Sequence, residues 1–231
     1  MSHIKSANNE IHHPLPLFPA YKQTGVKRPA AKRFYLTGKR MFDVAVVLAL
    51  SPLWLLAIGV IALVIWLEDR HNPFFIQMRT GQHGRRFPMY KFRTMTPNAE
   101  EMKAQLMHLN ELEYPDFKIK NDPRITKTGR FLRRASLDEL PQLFNVLLGD
   151  MSLVGPRPTS FKPETYKSWH MARLAATPGI TGLWQVSGRS DLEFDERVQL
   201  DIEYIERQTF LLDLQILWRT FSSVLRGRGA Y

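Results

Sequence analysis

The chain has 231 residues, no cysteine and a formal net charge of +10, with 44% of its residues hydrophobic. That length supports one domain with its own core, or a domain with appendages. The missing cysteines exclude a disulfide framework and any thiolate metal site.

Residues 1–40 hold eight Lys or Arg against the single acid Glu10, so they carry +7 of the excess charge. Such a flank suits nucleic acid or an anionic lipid surface. Pro14, Pro16, Pro19 and Pro29 interrupt it, and no hydrophobic period is sustained, so residues 1–35 read as a disordered basic leader.

From Val44 to Leu67 the chain is uncharged and almost wholly apolar. As a straight helix this stretch would be about 36 Å long, against a hydrocarbon core of about 30 Å. It enters a membrane. Pro52 lacks an amide hydrogen and its ring clashes with the Leu48 carbonyl, while pre-proline Ser51 is pushed away from helical angles, so a break is expected at Ser51-Pro52. Lys39 and Arg40 precede the segment and Arg70, Arg79, Arg85 and Arg86 follow it, giving both flanks a cytoplasmic signature. A re-entrant helix-break-helix over residues 36–70 satisfies both ends where a straight span does not.

Phe74 to Met78 and Phe87 to Phe92 read as short strands around a Gly81–Gly84 turn, the second carrying Lys91 and, just beyond it, Arg93. Pro97 starts a helix with Glu100 and Glu101 in its first turn. Further helices are expected over Phe161 to Ala175 and over Leu192 to Gln208, the latter capped by Ser190 or Asp191. Phe210 to Leu225 is amphipathic, its apolar stripe of Phe210, Leu211, Leu214, Leu217, Trp218 and Phe221 suiting either a core face or the headgroup plane of a bilayer.

The chemistry concentrates around Leu137-Asp138-Glu139-Leu140-Pro141. Two adjacent carboxylates follow Arg130, Arg133 and Arg134; Ser136 stands three residues before Glu139 in a capping-box pattern, and Asp138 is the alternative N-cap because it places Pro141 in the first turn. At the start of a helix both carboxylates are favoured in their ionised forms. Beside arginines, such a group can attack phosphorus or hold a divalent cation. Three loops also present arginines rigidly: Asn121-Asp122-Pro123-Arg124, Val154-Gly155-Pro156-Arg157-Pro158, and Pro178 to Arg189. Guanidinium forks match phosphate oxygens, so a polyanionic ligand is implied. The histidines show no metal-ligand spacing, and no P-loop, dinucleotide fingerprint or Ser-His-Asp arrangement is legible.

Together KRMFD (39–43), the Ser51-Pro52 break, Gln77 to Gly81, KFRTM (91–95), residues 122–158, PGITGLWQVSGR (178–189) and Gly229-Ala230-Tyr231 resemble the bacterial sugar transferase family. These are monotopic phosphoglycosyl transferases, and the chain is similar to the small form of the exopolysaccharide, hexose-transferring branch. The resemblance implies transfer of a sugar 1-phosphate from a UDP-sugar to polyprenyl (undecaprenyl) phosphate, with release of UMP, through a phosphoglycosyl-aspartate. It assigns the nucleophile to Asp138, a Mg²⁺-associated carboxylate to Glu139, a phosphate ligand to Arg133 and a nucleotide contact to Arg157. Lys91, Arg93, Arg124 and Arg189 are the further cations expected at phosphate or nucleotide.

The fold implied is an α-rich α+β one: a re-entrant membrane helix, interfacial amphipathic helices and a small catalytic domain over 71–231 on the cytoplasmic face of the bacterial inner membrane. Membrane lipid, donor and acceptor are the expected partners; a homo-oligomer is left open. A nucleic-acid-binding protein would leave the apolar segment unused, so no nucleic acid is expected. An inert membrane-anchored scaffold would leave the arginine loops and paired carboxylates without purpose.

Overall fold

The computed structural model describes residues 32–110, 119, 121–188 and 192–225. The fold is helix-rich with two small sheets. The first helix, α1 (Lys32–Ala49), begins inside the stretch expected to be leader. Tyr35, Lys39, Asp43 and Val47 recur every fourth residue on its buried side. After Leu50, α2 (Ser51–Asp69) starts with Pro52 in its first turn, where a missing amide costs nothing.

The break between them satisfies its own backbone. The Ser51 hydroxyl donates to Leu48 O at 2.7 Å, and the Trp54 indole N–H donates to Val47 O at 2.8 Å. These are carbonyls left without amide partners by the interrupted ladder. α2 is long and apolar enough to cross a membrane. Trp54, Ile58 and Ile65 form its buried stripe, whereas Leu53, Leu56, Val60 and Leu63 lie exposed on its other side.

Both ends of this pair are tied to one polar body. From α1, Arg40 donates to the Val146 and Leu147 carbonyls, and Asp43 accepts from Ser152 Oγ at 2.6 Å. From α2, Glu68 accepts from the Lys127 and Thr128 amides, and Asp69 pairs with Arg93.

An antiparallel hairpin follows, β1 (Phe74–Thr80) and β2 (Arg86–Phe92), with Arg79 opposite Phe87 and Gln77 opposite Met89. Alternation therefore places Arg79, Phe87, Met89 and Lys91 on one face. Next come α3 (Ala99–Gln105), α4 (Lys127–Arg134) and α5 (Gln142–Leu148). Asn145 of α5 is wholly buried and pairs with β2 as a strand would, accepting from Tyr90 N and donating to Pro88 O.

The two loops around Arg157 and Pro178 contain strands that periodicity did not reveal. These are β3 (Ser152–Val154) and β4 (Gly179–Thr181), paired in parallel. Their backbones approach so closely that a Cβ on Gly179 would lie 2.1 Å from Gly155 N. The helix expected over Phe161 to Ala175 is instead two 3₁₀ segments, Pro163–Thr165 and Ser168–Ala175. Every residue from His170 to Ala175 is buried, so this segment has no polar face to present as an amphipathic helix would.

The chain ends in α6 (Leu183–Ser187), α7 (Phe194–Arg207) and α8 (Phe210–Leu225). The expected caps Ser190 and Asp191 lie outside the described residues. Glu193 caps α7 instead, in a reciprocal box with Glu196. On α8 the stripe of Leu211, Leu214, Trp218 and Phe221 faces outward, while Asp213 and Ile216 face the core. One core cluster joins the first two helices to the hairpin, α4 and α5; a second joins β3 to α7 and α8.

Candidate active site

The site is assembled where the inner face of β2 runs out of apolar residues. Phe87 and Met89 are buried in the core, and two positions further on Lys91 meets Glu139, its Nζ 3.0 Å from Oε1. α4 is brought alongside by a close approach: a Cβ on Gly129 would fall 2.1 Å from Thr94 O. That contact lets Arg133 Nε donate to Thr94 Oγ1 at 2.9 Å.

Between α4 and α5 the backbone reverses at Ser136, which adopts a left-handed φ of 55°, and Leu137–Glu139 form a 3₁₀ turn. The expected capping box does not form. Ser136 makes no side-chain cap bond, and Pro141 occupies the N-cap of α5. Glu139 is drawn instead to Lys91 and to Arg157, whose Nη1 lies 3.0 Å from Oε2 and whose Nη2 bonds Oε1. Two charge-assisted contacts outweigh one bond to a neutral amide.

Arg157 is itself held from behind. The β3–β4 pair fixes its loop through Gly155 N to Thr181 O at 2.9 Å and Gly179 N to Pro156 O at 2.9 Å. Arg173, buried and paired with Asp201, donates through Nη2 to Arg157 O at 2.8 Å. Arg173, Asp201 and Asn145 were not singled out from sequence. Arg173 lies in a continuous buried run, where no period marks one residue as special.

The two adjacent carboxylates have different environments. Burial would raise Glu139, but Arg157 and Lys91 overcome it and hold the group well below the usual carboxylate range. Asp138 is half-buried, and no hydrogen bond or ion pair fixes it among the described residues. Its carboxyl is pushed up by burial, with Lys91 opposing, Glu139 adding to the rise, and Arg133 and Arg157 opposing it further. The expected preference for the ionised form thus holds at Glu139, through Arg157 and Lys91, and fails at Asp138, where burial dominates. Arg79, on the same face as Lys91, is lowered to about 10 by burial and by the neighbouring Arg157 charge. Its Nε is buried without a partner.

The structure therefore brings Asp138, Glu139, Lys91, Arg133 and Arg157 together. Two further expected cations are engaged elsewhere. Arg93 grips Asp69 with both terminal nitrogens and so ties α2 to the hairpin. Arg124 is buried against Asp122 and donates to Ala99 O, bracing its own loop. Arg189 lies outside the described residues.

Beside Arg157 opens a cleft of about 140 Å³, lined by Arg79, Arg157, Phe161, Trp184, Phe194 and Arg197 among others. Trp184 is the second residue of α6. Gln185, next to it, donates to the same Ile180 carbonyl that Arg157 Nη1 approaches at 3.4 Å. The Arg197 guanidinium lies 5.6 Å from the Trp184 ring centroid.

The family profile described as bacterial sugar transferase matches residues 34–227. The undecaprenyl-phosphate galactose phosphotransferase of Salmonella typhimurium is 44% identical over 214 residues, covering 89% of this chain and 44% of that protein. The exopolysaccharide production protein ExoY of Rhizobium meliloti is 38% identical over 237 residues, covering 99% of this chain and all of that protein. The undecaprenyl-phosphate glucose phosphotransferase of Komagataeibacter xylinus is 36% identical, covering 94% of this chain and 41% of that protein. The chain thus spans less than half the length of the two named phosphotransferases and the full length of the third relative.

Proposed function

The chain belongs to the bacterial sugar transferase family, and from that premise we propose that it transfers a hexose 1-phosphate from a UDP-sugar to polyprenyl phosphate, releasing UMP. The observation that carries this reading is the unbound Asp138 carboxylate, set among Lys91, Arg133 and Arg157 beside a Glu139 that is already held. A nucleophile must be free to move onto its target, and the surrounding cations supply charge for a diphosphate.

In the first step an Asp138 oxygen attacks the phosphorus that bears the sugar. An O–P bond forms to the carboxylate as the P–O bond to UMP breaks, and the electron pair leaves with UMP. In the second, an oxygen of polyprenyl phosphate attacks the same phosphorus and expels the Asp138 carboxylate, giving a polyprenyl diphosphosugar. Neither step needs a net proton when the acceptor is fully ionised. Lys91, Arg133 and Arg157 hold the diphosphate oxygens and balance the charge that develops on them.

The residues fit a magnesium ion that is completed by substrate. Among the described residues no group of three or more His, Cys, Asp or Glu could hold a metal. Mg²⁺ is commonly bound by one or two carboxylates together with substrate phosphates and water, and Glu139 would supply the one carboxylate here, leaving Asp138 for attack. Bound there, it would neutralise the diphosphate and improve the leaving group.

The α1–α2 pair is read as a re-entrant membrane element with the catalytic residues 71–231 at the cytoplasmic face of the inner membrane. What supports this is that Arg40 and Asp43 at one end, and Glu68 and Asp69 at the other, all bond the same polar body. The outward stripe of α8, including Trp218 at 70% exposure, suits the headgroup plane. With single cysteines at Leu36 and His71, a membrane-impermeant thiol reagent should label both from the cytoplasmic side; labelling from opposite sides would overturn the re-entrant reading.

The chemistry is tested with UDP-galactose and UDP-glucose. UMP release should require polyprenyl phosphate for full turnover. Mass spectrometry of protein quenched without acceptor should show a hexose-phosphate adduct on the peptide that contains Asp138. Turnover without any adduct on that peptide would remove the covalent route.

A further inference from the structure

We propose that the cleft beside Arg157 seats the nucleoside half of the donor, with its planar base against Trp184 and its phosphates between Arg79 and Arg157. The proposal rests on the nucleotide-donor reading above and adds which residues recognise the nucleoside. The cleft has two chemically distinct ends. At one end Arg157 lies close enough to Arg79 to disfavour its charge, and a buried Arg79 Nε has no partner. Like charges packed together in a partly buried place are relieved by an anion.

At the other end Trp184, Phe161 and Phe194 present aromatic surface, and the indole Nε1 of Trp184 is buried without a hydrogen-bond partner. Arg197 lies over one face of the Trp184 ring. A ligand that carries negative charge at one end and a polar-edged plane at the other matches both ends together. A polyprenyl chain has no polar edge, and a sugar alone carries no charge for Arg79 and Arg157, so neither matches both ends together.

The geometry also orders the substrate. Arg157 bonds Glu139 on one side and lines the cleft on the other. A nucleoside diphosphate lying along the cleft with its base at Trp184 therefore points its distal phosphate towards Asp138, leaving the sugar beyond it. Base recognition and nucleophilic attack are then set by one rigid loop, braced by Arg173 through Arg157 O.

The test measures calorimetric binding of two probes, UMP and inorganic diphosphate, to the full chain in lipid nanodiscs. Stacking of a base on an aromatic side chain is commonly lost at a cost of about ten-fold or more in affinity. Trp184→Leu should weaken UMP by about that factor and leave diphosphate unchanged. Trp184→Phe, which keeps a ring, should bind UMP within about three-fold of wild type. The unchanged diphosphate affinity reports that the variant is folded at the phosphate end. Wild-type UMP affinity in Trp184→Leu overturns the cleft assignment alone, and so does an equal loss for both probes. A wild-type chain that binds no UMP at all overturns the nucleotide-donor reading together with it.

Discussion

Asp213 and Glu139 are both carboxylates taken out of water and gripped by a cation, yet they are completed differently. Asp213 accepts from Lys39 Nζ at 2.9 Å, Tyr35 O–H at 2.7 Å and Tyr204 O–H at 2.7 Å. These donors come from α1 and α7, so the carboxylate, itself on α8, locks three helices together. All three donors converge on the one carboxylate. Glu139 is held as firmly by Lys91 and Arg157, but beside it stands Asp138 with no bond of its own, and beyond Arg157 lies Arg79 with an unsatisfied Nε. A buried ion pair therefore does not mark function by itself. At Glu139 unpaired charge stands next to the pair and lines an open cleft, where a ligand can settle it.

The contrast is most sharply tested at the two carboxylates without equivalent roles. Asp138→Asn keeps the shape and removes the proposed nucleophile, so transfer should fall below about a thousandth of wild type while the melting temperature stays unchanged. Asp213→Ala should do the reverse. It leaves Lys39 buried and unpaired, a loss of about 3–5 kcal/mol that would lower the melting temperature by about 10 °C. Thermal unfolding alongside UMP release separates the two outcomes. If Asp213→Ala melted normally yet lost turnover, the sealed centre would belong to the active site after all.

Lys91 probes the open centre more gently. On the proposed route Asp138 must be ionised to attack, burial raises its carboxyl, and Lys91 is the strongest of the charges pulling it back down. Removing that charge in Lys91→Met should raise the Asp138 carboxyl further. The acid limb of kcat/KM then moves to higher pH, and activity falls more at low pH than at high pH. A limb that stays in place, measured across a pH series, would show that Asp138 does not feel the lysine.

How much of this was legible in sequence depends on whether local or distant forces decide. The amphipathic run Phe210 to Leu225 became α8 with the same bounds, because periodic burial is written along the chain, and the hairpin appeared where two short apolar stretches flank the Gly81–Gly84 turn. The proline near the middle of the apolar segment likewise marks the start of α2. Ser136 misled because Ser-x-x-Glu describes a local bond, whereas Glu139 is claimed by Lys91 and Arg157, which are 48 and 18 residues away. The β3 and β4 strands have three residues each, too few to show a period, and their pairing depends on glycine backbones meeting. Arg93 and Arg124 looked equal to Arg157 by composition. Only packing shows that Asp69 and Asp122 have taken the first two.

The smallest effect is expected at Tyr204, and it tests whether the sealed centre is truly separate. Its hydroxyl donates to Asp213 Oδ1, while Lys39 and Tyr35 both bond Oδ2. Tyr204→Phe therefore leaves Oδ1 without a side-chain donor in a buried place, costing about 1–3 kcal/mol and lowering the melting temperature by about 5 °C. The same hydroxyl lies 3.2 Å from Val154 O, at the start of the loop that carries Arg157. That loop has its own supports in the β3–β4 bonds and in Arg173, so the donor KM should stay within about two-fold of wild type. A variant that melts normally but binds the UDP-sugar more weakly would show Tyr204 acting through Val154 on Arg157. The Asp213 centre and the proposed phosphate site would then be one coupled unit.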